Sequence, residues 1–170
     1  MLTWVSQAVG FGTNSVNGVV YGNSTFVAAG GGGKLATSPD GAAWTQQTSG
    51  FGTSSIMGVT YGGGLFIAVG VSGKLATSAD GVTWTQQTSS FGTSSIYAAI
   101  YAGGLFVAVG ASGKIATSPD AVTWTQQTSG FGTSSVRGIA HDGVGLFVAV
   151  GYDGKIATSP DAVTWTQQTS

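Results

Sequence analysis

The sequence predicts an all-β chain, a β-propeller of four-stranded antiparallel blades with four blades of about 40 residues each. Three observations carry this. Tryptophan recurs at Trp4, Trp44, Trp84, Trp124 and Trp165, a spacing of 40, 40, 40 and 41, and the text between is nearly a copy of itself. Each unit breaks into four short β-prone runs separated by glycine-rich turns. One of those runs, Leu65-Phe66-Ile67-Ala68-Val69 in the second unit, is apolar throughout. Both of its faces therefore need cover, which flanking blades supply. A trefoil has three such units and a β-helix shorter coils, whereas four tandem units of this length fit a propeller.

In the second unit the runs are 55–61, 65–69, 74–78 and 82–88, named A to D. Gly62-Gly63-Gly64 separates A from B, and Gly70-Val71-Ser72-Gly73 separates B from C. The C–D turn of the first unit reads Ser38-Pro39-Asp40-Gly41. Proline fixes the first corner, aspartate accepts local backbone bonds, and glycine takes a positive φ. Ala121 and Ala162 replace that glycine in later units, and keeping the geometry costs each ~1 kcal/mol. Gly18, Gly58, Ala98 and Gly138 keep strand A small where blades converge, so A is innermost and D is the rim. The whole chain is one domain with repeats at 4–43, 44–83, 84–123 and 124–164 and a surplus outer strand at 165–170. Five D runs against four of each other kind leave two arrangements open. One is a closed four-bladed ring, and the other a larger ring such as eight blades from two chains, a homo-oligomer joined through a shared outer strand.

The hairpin wording "GKIATSPDAVTWTQ" resembles the Asp-box (BNR, sialidase-like) propeller repeat, Ser-x-Asp-x-Gly-x-Thr-Trp, at Ser118, Asp120, Thr123 and Trp124 and their equivalents. The match recurs in all four units and is one residue shorter between Asp and Trp. In those families the box is a structural turn, so the resemblance implies fold rather than activity. The wording is also similar to uncharacterised bacterial and phage propeller repeats.

Composition narrows the function classes. Charged residues are 6% of the 170, against a typical share of about 25%. Glutamate and cysteine are absent, Arg137 is the only arginine and His141 the only histidine. A net charge of −1 argues against nucleic acid, because neutralising phosphates takes many cations. Apolar runs are too short to span a membrane, and Met1-Leu2-Thr3-Trp4 carries no signal-peptide pattern. A Ser/Thr/Gln/Gly surface suits an extracellular or virion setting.

Alternating strand directions give each charge a side. Lys34, Lys74, Lys114 and Lys155 begin strand C on the face that carries the D–A and B–C connections, here the top, and Arg137 lies there too. Asp40, Asp80, Asp120, Asp161 and Asp142 fall on the bottom, with Asp153 the exception. Two readings stand. The cations attract an anionic ligand to the channel mouth, or they pair with rim glutamines and carbonyl groups. A disc polarised in this way could also stack top on bottom.

The near-copies diverge at few places. One position of strand A holds Asn17, Met57, Tyr97 and Arg137, and the B–C turn holds Gly31, Val71, Ala111 and Tyr152, then Gly32, Ser72, Ser112 and Asp153. Both places map to the top, near the axis. Exposed positions drift freely, but tyrosine also offers a stacking plane and arginine a fork for carboxylate or phosphate. The candidate ligand contacts are therefore Asn17, Met57, Tyr97, Arg137, Tyr152 and Asp153, with the four lysines around them.

Catalytic and metal chemistry find little to use. His141 and Asp142 are adjacent on a turn, no arginine cluster exists, and the aspartates fall one per blade. Gly30-Gly31-Gly32-Gly33-Lys34 lacks the Ser/Thr and the helix of a phosphate loop. The expectation is a non-catalytic, lectin-like binding module without cofactor or metal, recognising a glycan or other anionic surface ligand on the top face. The alternative is a self-assembling scaffold with no small-molecule ligand.

Overall fold

The computed structural model describes residues 6–169. It contains four antiparallel four-stranded sheets in sequence order. Blade 1 is β1 (Val16–Gly22), β2 (Thr25–Gly30), β3 (Leu35–Ser38) and β4 (Thr45–Gln47); blade 2 is β5 (Ile56–Gly62), β6 (Leu65–Gly70), β7 (Lys74–Ser78) and β8 (Thr85–Thr88). Blade 3 is β9 (Ile96–Ala102), β10 (Leu105–Gly110), β11 (Ile115–Ser118) and β12 (Thr125–Gln127). Blade 4 is β13 (Val136–His141), β14 (Phe147–Gly151), β15 (Ile156–Ser159) and β16 (Thr166–Gln168). The fold is the all-β propeller architecture, with four four-stranded blades in the chain, that the repeat predicts.

Strand D begins three residues later than its alternation suggests. In blade 2, Asp80 Oδ1 accepts the N–H groups of Val82 and Thr83, both at 2.8 Å, so these residues stay in the turn. Trp84 Nε1 then donates to the Gly81 carbonyl at 2.8 Å and closes the hairpin. The same arrangement recurs at Asp40, Asp120 and Asp161 with Trp44, Trp124 and Trp165. The turn geometry is kept where alanine replaces glycine: φ is 77° at Gly41 and Gly81, and 61° at Ala121 and Ala162.

The outer strand expected as a surplus at 165–170 is instead integral, because β16 (Thr166–Gln168) pairs with β15 and completes blade 4; residue 170 lies outside the described residues. The fifth D run therefore falls at 4–8, and residues 1–5 lie outside the described residues. Residues 6–8 are not strand.

The inner strands pack in series, β1 on β5, β5 on β9 and β9 on β13. Each seam uses the same parts. Ile67, Val69 and Leu75 of blade 2 meet Phe91, Ile96, Phe106 and Trp124 of blade 3, all buried. Burying one such aliphatic side chain stabilises by about 1.5–3 kcal/mol, so three multi-residue seams dominate cohesion. Among the described residues, no comparable packing joins β13 back to β1.

Candidate functional site

The divergent position of strand A turns out to be a β-bulge. Val16 opposes Gly30 and Gly18 opposes Ala29, which leaves Asn17 as the extra residue. Met57, Tyr97 and Arg137 are the extra residues of the other three blades. A bulged residue leaves the ladder and its side chain is re-aimed, which is why bulges gather near binding sites. The opposing residue must be glycine. A Cβ on Gly30 would lie 1.9 Å from the Ser15 carbonyl oxygen, and on Gly110 2.2 Å from that of Ser95. This pairing went unread in the sequence because those glycines pass for ordinary turn residues. The available signal was a constant glycine at the end of strand B opposite a variable residue in strand A.

Three of the candidate contacts come together. The Arg137 guanidinium carbon lies 4.0 Å from the Tyr97 ring centroid and 5.1 Å from that of Tyr152. Tyr97 comes from blade 3 and the other two from blade 4, so the cluster bridges a seam. Arg137 is exposed and Tyr152 is 54% exposed. Stacking engages the faces of the guanidinium rather than its N–H edge, the part that forks a carboxylate, sulfate or phosphate.

The other candidates sit apart or are engaged locally. Asn17 Nδ2 donates to the Ile56 carbonyl at 2.7 Å, tying blade 1 to blade 2. Asp153 has φ +59° and accepts from Ser134 Oγ. Met57 is half-buried at the bulge of blade 2. Lys74, Lys114 and Lys155 donate to the carbonyls of Phe51, Phe91 and Phe131 at 2.7–2.9 Å, stapling strand C to the incoming D–A linker. In blade 1 the Phe11 carbonyl is taken by Asn14 Nδ2, and Lys34 lines a shallow groove with Gln46 and Gln47.

The bottom face is ordered by its carboxylates. Backbone N–H donors of Thr123 and then Val122 hold Asp120 down to about 2. Leu146, Val144 and Gly145 do the same for Asp142, also to about 2. Asp40, Asp80 and Asp161 are lowered by the matching donors, first Ala43, Thr83 and Thr164. His141 occupies the place of Tyr21, Tyr61 and Tyr101, stacking on Phe147 at 4.3 Å, and its Nδ1 accepts from Gly143 N–H. Among the described residues no three His, Cys, Asp or Glu side chains converge on a metal-sized site. No helix there is long and apolar enough to cross a membrane.

No curated protein sequence matches the chain. Among solved structures it is similar to YCF48 bound to D1 peptide (TM-score 0.69, 16% identity), covering 96% of this chain and 57% of that one. A catalytically inactive virginiamycin B lyase from Staphylococcus aureus with quinupristin gives a TM-score of 0.81 at 9% identity, covering 95% and 57%. The computationally designed Ika4 protein gives 0.73 at 12% identity, covering 94% and 99%. The chain thus spans little more than half the length of the YCF48 and lyase chains. These likenesses are of fold. Residues 2–130 match the DUF6242 beta propeller domain, and the chain belongs to that β-propeller family.

Proposed function

We propose that the protein is a non-catalytic binding module whose top face takes an anionic group of a surface glycan at Tyr97, Arg137 and Tyr152. One observation carries the reading: the only arginine of the chain stands on a bulge between two tyrosine rings, 4.0 and 5.1 Å away. Two phenol rings offer stacking planes for sugar faces, and the guanidinium edge offers a fork for carboxylate or sulfate. Asn17, Met57 and Asp153 and the four lysines are outer contacts; the lysines lend positive potential, and Lys74, Lys114 and Lys155 also hold the linkers. In this reading the Ser-x-Asp turns are structural Asp-box turns on the opposite face. The chain needs no cofactor.

An acidic peptide is the second reading, favoured because the similar YCF48 structure is bound to a peptide. The test is an array of sialylated, sulfated and uronate-bearing glycans, with an acidic peptide library beside it. The Tyr97→Ala, Arg137→Ala and Tyr152→Ala variants are compared with the parent protein. Capture of acidic glycans that each substitution abolishes, at an unchanged Tm, is the expected result. Capture untouched by all three removes the assignment, and capture of peptides alone replaces glycan by peptide.

A further inference from the structure

We propose that two copies of the chain close an eight-bladed ring, blade 4 of each seated on blade 1 of the other. Among the described residues, blades 1 and 4 leave exposed the two faces that the internal seams cover. In blade 3 the face toward the next blade buries Val109 and Ile115 completely, at 0% exposure. The same positions in blade 4 are Val150 and Ile156, each 41% exposed. On the opposite side, Ile56, Ile96 and Val136 are 0% exposed against the preceding blade, while their blade 1 counterpart Val16 is 49% exposed and Val19 is 61% exposed. The apolar surface at one end is therefore of the kind that covers the surface at the other, as the internal seams already demonstrate three times over.

Such a contact is heterologous: one patch of the molecule meets a different patch of its copy, and it must either close a ring or grow without limit. The arc decides for closure. The inner strands pack in series from β1 to β13, and among the described residues no comparable packing returns β13 to β1, so the four blades form an arc with two open ends, and two such arcs complete a ring. The seam needs no strand exchange, since β16 already occupies the outer edge of β15. This differs from joining through a shared outer strand. A net charge of −1 per chain leaves little repulsion between copies. In the closed ring two Tyr97–Arg137–Tyr152 clusters surround one channel mouth, a consequence that rests on the binding reading, whereas the ring itself does not.

Sedimentation equilibrium and light scattering on the full chain test this, with Val16→Asp and Val150→Asp as variants. The expected mass is twice that of one chain, with a Tm that rises with protein concentration. Each variant alone should run as a folded monomer with the parent's far-ultraviolet circular dichroism. An equimolar mixture should recover a 1:1 dimer, because one of its two seams keeps both native faces. Val19→Lys and Ile156→Lys, also at exposed positions, repeat the pair should an aspartate variant not fold. A monomeric parent, a three-copy or open-ended assembly, or a mixture that stays monomeric overturns the proposal. So does a dimer lost through only one of the two faces, which marks a like-to-like contact. A parent protein that is dimeric but captures no glycan would count against the top-face site alone.

Discussion

The internal seams and the two end faces are built from the same letters and behave differently. Val109 and Val150 stand at one repeat position in nearly identical surroundings of sequence, yet one is sealed and the other 41% exposed. Leu35, Leu75 and Ile115 are at most 1% exposed, and Ile156 is 41% exposed. Burial here belongs to the neighbour rather than to the residue. A blade is one supersecondary unit that cannot hide both flanks by itself, so its stability comes from the blade beside it. The largest test of this contrast is a pair of identical truncations. Ile115→Ala should cost about 3 kcal/mol, the usual range for a sealed aliphatic side chain. Ile156→Ala should cost under about 1 kcal/mol in dilute protein, because much of its surface already meets water. Urea unfolding of both variants, at low concentration and then at high, reads the difference. Equal losses at low concentration would mean that the last blade is covered from within the chain.

What the sequence could show follows the same division. Strand number, strand order and the Ser-Pro-Asp-Gly turn are local, and local patterns announce themselves: glycine breaks, period-two alternation, a proline at a corner. Strand D starts at Thr85 instead of Val82 for a physical reason. Val82-Thr83-Trp84 alternates like a strand, but the Asp80 carboxylate captures two of its N–H groups before a ladder can. The bulge is not visible in the sequence because it is a relation between two strands. Met57 looks like any inner-strand residue until its ladder shows Ile56 opposite Gly70 and Gly58 opposite Val69. The meeting of Tyr97, Arg137 and Tyr152 was legible only as three variable top-face positions; their stacking depends on how blade 4 leans on blade 3. The end faces were not legible at all, since the repeat writes them in the same residues as the seams.

Acid should erase part of the contrast between inner and end blades, because every blade carries the same carboxylate turn. Asp120 and Asp142 sit at about 2 when folded, held by backbone N–H donors, and Asp40, Asp80 and Asp161 are lowered in the same way. A carboxylate with a depressed folded pKa binds protons more weakly than in the unfolded chain, where the value is about 3.9. Its contribution is therefore complete above about pH 5 and is lost as pH falls from about 4 towards 2. Melting temperature followed across that window should drop, and both Asp40→Asn in an end blade and Asp120→Asn in an inner one should flatten the slope, Asp120→Asn the more. A slope that only Asp120→Asn flattens would show that the turns owe their stability to the seam instead of to their own hydrogen bonds.

The smallest effect sharpens the comparison most, because one atom is moved into and out of a seam. Gly41 and Ala121 fill the same turn position, with φ of 77° and 61°. A Cβ on Gly41 would approach nothing nearer than Phe26 at 3.8 Å, since among the described residues no blade packs against that side. Gly41→Ala thus adds left-handed strain with no packing in return and should cost about 1 kcal/mol. Ala121 is sealed in the seam with Ile67, Val69 and Leu75. Ala121→Gly relieves that strain but removes a buried methyl group, which is itself worth about 0.8 kcal/mol, so the two nearly cancel. Thermal unfolding of the pair should show a clear loss for the first and almost none for the second. In a closed ring Gly41 faces the second copy, so its alanine gains the methyl packing that Ala121 already has. The cost of Gly41→Ala should then shrink as protein concentration rises, and a cost that stays constant while the dimer forms would mean that the new seam is packed unlike the three inside the chain.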